Sequence, residues 1–472
     1  MLLTQSQNAY DRQFIWAQEM VLEIPTFDDD LLDLSDFADR LEKFIEVEHH
    51  FVQGGLVLAL NSKYGSGKST FLRMWKNRLE KRDNKPMVIS LNAWESDYYG
   101  DPLFAIISSL IESLNQNNKD AQRIIDAAKD LGWFATAIGG QIAAQITGIN
   151  FEAAGDFAEK KREQRESKEE TSETHSDTFS VYESRKHAMS NLKEAIEEHV
   201  GSTEPRTIFL VDELDRCRPD YAISYLETIK HIFDVQGAVF ILAADRDHLE
   251  NSAKTAFGRD LDFDEYIRKI VHREIALPTL VEANYQKIAS EYVKYYLERN
   301  DLRFTRLKKN TSQYKRIHEL AHLFNLTPRQ IQEMFRLIGH VFNAQSENEH
   351  PLFWCLEIRT FFMVAMKIGR REDYFNFGHQ NYSAIETYDF LKIVLRNKDT
   401  KWWFMLLMTG EAFKIASHGE CFKILVEVGL ASQEEEKFYS ERLDKFAQGW
   451  GFSNHGRFKQ IFETIEQISC WN

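Results

Sequence analysis

The stretch LVLALNSKYGSGKSTFLRMW, Leu56 to Trp75, holds the residues whose types and spacing most directly imply chemistry. Gly65, Ser66 and Gly67 can turn consecutive backbone N–H groups inward, and Lys68, Ser69 and Thr70 follow at once. Such amides at a helix start attract anions, because they point at the ligand and the helix dipole favours negative charge there. A lysine reaching β- and γ-phosphate oxygens and a serine hydroxyl on Mg²⁺ complete the phosphate-loop pattern G-x-x-x-x-G-K-[ST]. Tyr64, Gly65, Ser66, Gly67, Lys68, Ser69 and Thr70 are therefore the expected nucleotide contacts, and Ser69 is an expected metal ligand. Ser62 stands where the pattern wants its first glycine. Serine is tolerated there if φ stays negative or if modest left-handed strain is accepted. The plain alternative is a strand-to-helix turn whose small residues serve packing.

A second segment supplies the acids. In IFLVDELD, Ile208 to Asp215, an apolar run ends in Asp212. That carboxylate would emerge at the C-terminal end of a buried strand, placed to hold Mg²⁺ directly, through water or through Ser69. Glu213, next along, is placed to polarise an attacking water. The alternative is an acidic strand end facing solvent. Asp245 ends a further apolar run, GAVFILAAD. A glutamate beside the magnesium aspartate, with a polar residue ending the next strand, is the layout of hydrolysing ATPases. No N-K-x-D base-reading motif occurs, which speaks against a GTPase, though the residues alone leave ATP and GTP open; Mg²⁺ is the expected metal.

Strands and helices must bring these groups together. Leu56–Leu60 is a short strand-like run into the loop, with a helix from Lys68. PMVISLNAW, Pro86 to Trp94, reads as a second strand and residues 102–130 as helical. Thr207–Asp215 and Gly237–Asp245 are strand runs separated by the helical YAISYLETIKHIF, and REIALP, ending at Pro278, is a fifth short run. Strands alternating with helices at this spacing mean a parallel, doubly wound sheet. Upstream, residues 31–48 place Phe37, Ala38, Leu41, Phe44 and Ile45 on one helical face, with Ser35 as N-cap. After about residue 280 helical spacing dominates.

The whole chain sets limits. Its 472 residues are 43% apolar, enough for a substantial core in two or three domains. A net charge of −15 argues against a general nucleic-acid coat protein but leaves room for a local basic groove. The four cysteines form no CxxC pair, and the N-terminus shows no signal peptide, so a reduced, cytoplasmic protein is expected. GWFATAIGGQIAAQITGINF, Gly132 to Phe151, is uncharged over about the length of a membrane span. Its glutamines, glycines and alanines make it a poor span, and a buried or interfacial helix is the preferred reading. The tract EKKREQRESKEETSETHSDT, Glu159 to Thr178, is too polar to bury a core.

The segments KYGSGKST, LNAWESD, FLVDELDRCRPDYAISYLETIKHIFDVQGAVFILAADRDHL and TPRQIQEMFRLI together resemble the KAP family of P-loop NTPases, over roughly residues 30–340. That family joins a neuronal ankyrin-repeat membrane scaffold to a plasmid-encoded phage-exclusion protein. The resemblance implies an α/β P-loop NTPase fold of the additional-strand type, a parallel sheet flanked by helices, with an all-helical C-terminal region. It implies that Lys68 and Ser69 serve phosphate and Mg²⁺, Asp212 Mg²⁺, and Glu213 water activation. Asp215 and Arg216 become motif residues, Asp245 a γ-phosphate sensor, and Arg329 a second sensor on a helical lid. Many members carry paired transmembrane helices between the two nucleotide motifs; here the insert is short and weakly apolar. The expected division is 1–130, N-terminal helix and first part of the core; 131–180, insertion; 181–280, second part of the core; 281–345, helical lid; and 346–472, helical C-terminal domain.

Other residues carry two readings. Trp94 is a core aromatic or a support for the nucleotide pocket, the former being the more ordinary. Arg216, Arg246 and Arg273 are arginine-finger candidates or local ion-pair partners. Leu302–Arg316 concentrates six basic residues with Phe304 and Tyr314, a solvated surface or a nucleic-acid groove. The histidines show no metal-ligand spacing. The expected activity is Mg²⁺-dependent ATP hydrolysis that drives or gates an assembly; by resemblance, it serves antiphage defence or plasmid exclusion with a partner effector and a homo-oligomer. The alternatives are an ATP-bound scaffold with little turnover that recruits a partner through its helical half, and a membrane-associated NTPase.

Overall fold

The computed structural model describes residues 24–117, 120–137, 175–201, 206–298, 312–345, 354–395, 399–414, 420–450 and 457–469. The described chain up to Pro278 forms one compact unit and the chain from Thr279 a second.

The first unit is built on five strands: β1 Leu56–Asn61, β2 Val88–Asn92, β3 Thr207–Asp212, β4 Ala238–Ala244 and β5 Arg273–Ala276. Their order is β2-β3-β4-β1-β5, and every neighbouring pair is parallel. A parallel sheet needs crossovers that cover both faces, so its central strands read as unbroken apolar runs. β4 is buried along its whole length and β3 nearly so, whereas the edge strand β2 alternates between buried and accessible residues. β4 lies between β1 and β3, which is the additional strand that the paired motifs imply.

The helices of this unit are α1 Ser35–Glu48, α2 Lys68–Glu80, α3 Ala93–Asp97, α4 Pro102–Gln116, α5 Gln122–Ala137, α6 His175–Gly201, α7 Pro219–Ile232, α8 Arg246–Phe257 and α9 Phe263–Arg268. The second unit contains helices, among them α10 Glu282–Glu298, α11 Ser312–Leu323, α12 Pro328–Gln345 and α13 Trp354–Gly369, and no strand among its described residues. In α13 the residues from Ile358 to Met366 are all buried, so this helix is the centre of its own core.

Local details depart from the sequence expectations for identifiable reasons. Ser35 opens α1 without capping it; the Asp30 carboxylate instead accepts from the N–H groups of Leu32 and Leu34. Residues 102–130 are two helices, because α4 stops at Gln116 and α5 starts at Gln122, with Asp120 accepting from Gln122 N–H. The run Pro86–Trp94 remains a strand only over Val88–Asn92, since the Asn92 side chain caps α3 by accepting from the N–H groups of Trp94 and Glu95. Residues 138–174, with most of Gly132–Phe151 and of the charged tract, lie outside the described residues. Among the described residues no helix is long and apolar enough to cross a membrane.

Two features hold the sheet. Phe209 on β3 and Phe240 on β4 stack at 4.3 Å between centroids, with Phe233 edge-on to both. Truncating such a fully buried ring costs about 3–5 kcal/mol. We therefore expect Phe240→Ala to lower the urea midpoint by that free energy; an unchanged midpoint would contradict the stacked core.

At the opposite edge, His272 Nδ1 accepts from Val57 N–H at 3.0 Å. Burial, with the Lys230 ammonium, holds this imidazole below its ordinary pKa of 6.5, against the pull of Asp234 and Glu48. The fold favours the neutral ring, so its stabilisation is complete above the ordinary value and is lost as pH falls below it. Urea midpoints between about pH 8 and about pH 5 should fall less steeply for His272→Gln than for the parent. Identical slopes would exclude this contribution.

Candidate nucleotide site

The loop Ser62–Gly67 joins β1 to α2 at the C-terminal edge of the sheet. Gly65 and Gly67 have φ of +74° and +105°, a conformation that only glycine adopts without strain. A Cβ on Gly67 would also lie 2.6 Å from Leu32 Cδ1, so this position excludes a side chain on two grounds. Ser62 lies outside the left-handed region. Its N–H donates to Ala244 O at 3.3 Å and its carbonyl accepts from Lys68 Nζ at 2.6 Å. Both tasks belong to the backbone, which is why a serine replaces the first glycine without altering the loop.

Lys68 begins α2 and is only 7% exposed. Its ammonium donates to the carbonyls of Ser62 and Lys63 and lies 3.5 Å from Asp215 Oδ2. The other Asp215 contact is with the Asp245 N–H, which donates to the same oxygen at 2.9 Å. Asp245 follows β4 and caps α8 by accepting from Asp247 N–H; its Oδ2 also accepts from Tyr64 N–H at 3.3 Å. A carboxylate donates no hydrogen bond to an anion, so what Asp245 contributes here is a tether on the loop.

At the end of β3, Asp212 accepts from Glu213 N–H at 2.9 Å and lines one cavity with Ser69. Burial pushes its carboxyl above its ordinary value, against the Ser69 hydroxyl and the Glu213 N–H. Glu213 has φ +60°, a left-handed conformation uncommon for a glutamate. Burial raises its pKa as well, opposed chiefly by the Arg216 guanidinium, with Oε1 2.9 Å from Nη2. The Asn92 side chain, which lines the same cavity, also favours the charged form of this carboxylate. β2 pairs with β3 so that Asn92 faces Asp212, which is what brings this amide to the acids.

The residues present suit a triphosphate with a divalent cation. Ser66 Oγ is buried without a hydrogen-bond partner among the described residues, an unmet donor beside the amide nest. Leaving a buried hydroxyl unpaired costs about 1–3 kcal/mol, which a phosphate oxygen would relieve. The Ser69–Asp212 pair offers the hard oxygen ligands that Mg²⁺ takes. A cavity of about 1010 Å³ opens from Ser69, Asp212 and Glu213 along α2 and Asn92, within the size range of ligand pockets.

A family profile described as the KAP family P-loop domain matches residues 34–344. The chain belongs to the KAP family of P-loop NTPases. This KAP protein is accordingly a nucleotide-binding ATPase. No curated protein matches it. Among solved structures it is similar to the Aeropyrum pernix ORC2 protein in its ADPNP-ADP complexes, at 10% identity and TM-score 0.34, covering 93% of this chain and 95% of that one. It is also similar to the Aeropyrum pernix ORC1 protein in complex with DNA, at 12% identity and TM-score 0.33, covering 93% and 84%. Scores that low carry no inference, and the fold of the KAP chain rests on its own sheet order.

Tyr64 to Thr70, Asp212, Glu213 and Asp245 thus meet at one edge of the sheet. Arg329 lies in the second unit, in the first turn of α12, whose start is fixed by reciprocal hydrogen bonds between Thr327 and Gln330. Arg246 pairs with Asp264 and Glu274, and Arg273 with Glu48, so both are engaged locally. Arg316, at the end of the basic stretch, pairs with Glu319 and Asp399 and covers Trp402 at 4.2 Å. Residues 299–311 lie outside the described residues. Trp94 is not a core aromatic: it is 51% exposed, because the turn into α3 swings it outward. Asn92 had a sequence signal that went unused, a polar residue closing the strand next to the acidic one.

Two substitutions separate the glycine positions. Ser62→Gly should leave ATP affinity within about threefold, since only backbone groups act there. Gly67→Ala should weaken it by about tenfold or more, through left-handed strain and the Leu32 contact. Calorimetric titration checks both, and equal effects would refute the distinction.

Proposed function

We propose that this chain hydrolyses ATP in a magnesium-dependent reaction at the loop Tyr64–Thr70, and that turnover drives or gates an assembly. The observation that carries this reading is the cavity that Ser69, Asp212 and Glu213 line together, which sets the phosphate loop beside a pair of strand-end acids. Lys68 would leave Asp215 for the β- and γ-phosphate oxygens, with the loop amides around them. Ser69 and Asp212 would hold Mg²⁺, which when bound neutralises phosphate charge and fixes its orientation. Glu213 would orient the attacking water and receive its proton, with Asn92 holding the carboxylate. Asp245 would relay occupancy of the loop through Tyr64 N–H, and Arg329 is assigned as a second sensor from its place in TPRQ.

The setting is proposed from family membership: a cytoplasmic homo-oligomer working with a partner effector, in antiphage defence or plasmid exclusion. The net charge of −15 lends no support to nucleic acid as the general partner. A second reading, an ATP-bound switch with little turnover, is favoured by the Arg216–Glu213 ion pair, which keeps the candidate base engaged.

Lys68→Ala should abolish ATP binding. Glu213→Gln should bind ATP as the parent does yet hydrolyse it about 10²–10³-fold more slowly, the usual contribution of a general base. Filter binding and phosphate release measure both. Parent-like turnover in Glu213→Gln would remove this residue from its role, and tight binding without turnover in the parent would establish the switch.

A further inference from the structure

Arg216 is the residue of the acidic segment that neither phosphate nor metal requires. It lies in the short 3₁₀ turn Leu214–Arg216 that follows Glu213. Its guanidinium is centred 5.2 Å from the Tyr64 ring and 5.4 Å from the Trp94 ring. Both distances lie within cation–π range, and a planar guanidinium suits contact with aromatic rings in a way that a lysine ammonium does not. Its Nη2 is 2.9 Å from Glu213 Oε1.

The two rings come from different places. Tyr64 belongs to the phosphate loop itself, where its N–H is tied to Asp245. Trp94 lies in the first turn of α3, the helix capped by Asn92, and Asn92 lines one cavity with Glu213. Both rings are substantially accessible, at 45% and 51%, so burial of their own surface does not account for their positions. What the arrangement does hold is the Glu213 side chain, which leaves a left-handed backbone and is paired from its own turn by a guanidinium. One of the rings against that guanidinium belongs to the loop proposed to receive phosphate.

We propose that Arg216 is a positioning residue: in contact with Tyr64 and Trp94, it fixes the Glu213 carboxylate and ties its placement to the nucleotide loop. The assignment rests on the ATP-hydrolysis reading of this site. Arg216 acts through Glu213 rather than on the phosphates, so its loss lowers the rate of the chemical step and spares ATP affinity. A carboxylate displaced by about 1 Å is enough to reduce such a step up to a hundredfold.

The test is single-turnover ATP hydrolysis and ATP affinity for the parent, Arg216→Ala, Glu213→Gln and the double variant, with Trp94→Ala and Trp94→Phe alongside. Arg216→Ala should slow hydrolysis by about tenfold to a hundredfold with affinity within about threefold. In the Glu213→Gln background the same substitution should have no further effect, because its target is gone. Trp94→Ala should reproduce part of the defect, and Trp94→Phe, which keeps a ring face, should recover most of the rate. Additive losses in the double variant, or a loss of affinity in place of rate, would overturn the assignment while leaving the hydrolysis reading intact. A parent that binds ATP without turning it over would sink the hydrolysis reading and this inference with it.

Discussion

A buried ammonium is the constraint on which the rest of this site depends. Lys68 is 7% exposed and cannot stay charged there without partners, because a desolvated unpaired charge is costly. The protein supplies two loop carbonyls and the Asp215 carboxylate. That requirement shapes the loop: the Ser62 and Lys63 carbonyls must point at the ammonium. It also explains why Asp215 lies beneath the loop, three residues after the strand-end acid. On the proposed reading, exchange of Asp215 for phosphate oxygens would keep the ammonium paired throughout, one anion replacing another.

The sheet order makes that exchange useful. Because β4 separates β1 from β3, the loop and the acids Asp212 and Glu213 emerge on either side of one strand, and Asp245, which follows that strand, bridges them. Asp245 reaches Tyr64 N–H with its side chain and Asp215 with its backbone. Arg216 then links Tyr64 to Glu213 on the other flank. The short segment Asp212–Arg216 thus holds the candidate metal ligand and the candidate base and touches the loop lysine, Tyr64 and Asp245, although only Asp212 belongs to the strand.

What was legible in the sequence follows from the same physics. A parallel sheet covered on both faces writes its central strands as unbroken apolar runs, so β3 and β4 could be read to within a few residues. The glycines and Lys68 were legible because their spacing answers to phosphate geometry rather than to packing. Trp94 was misread because its burial depends on a turn made by Asn92 capping α3, and an aromatic after an apolar run looks the same whether the chain continues straight or bends. The break after Gln116 was hidden for a similar reason: apolar spacing runs on through both α4 and α5. The Asn92–Glu213 juxtaposition and the Arg216–Tyr64 contact join segments far apart in sequence, and no local pattern encodes them.

The claim that the loop and the acids form one working centre is tested most directly by ATP turnover of the purified chain across a magnesium titration, beside Asp212→Asn. Turnover that rises to saturation with Mg²⁺ in the parent, and is lost in Asp212→Asn at every concentration, is the outcome the Ser69–Asp212 arrangement predicts. An Asp212→Asn chain that hydrolyses ATP with the parent's rate and magnesium dependence would contradict it, because the strand-end acid would then have no part in the reaction.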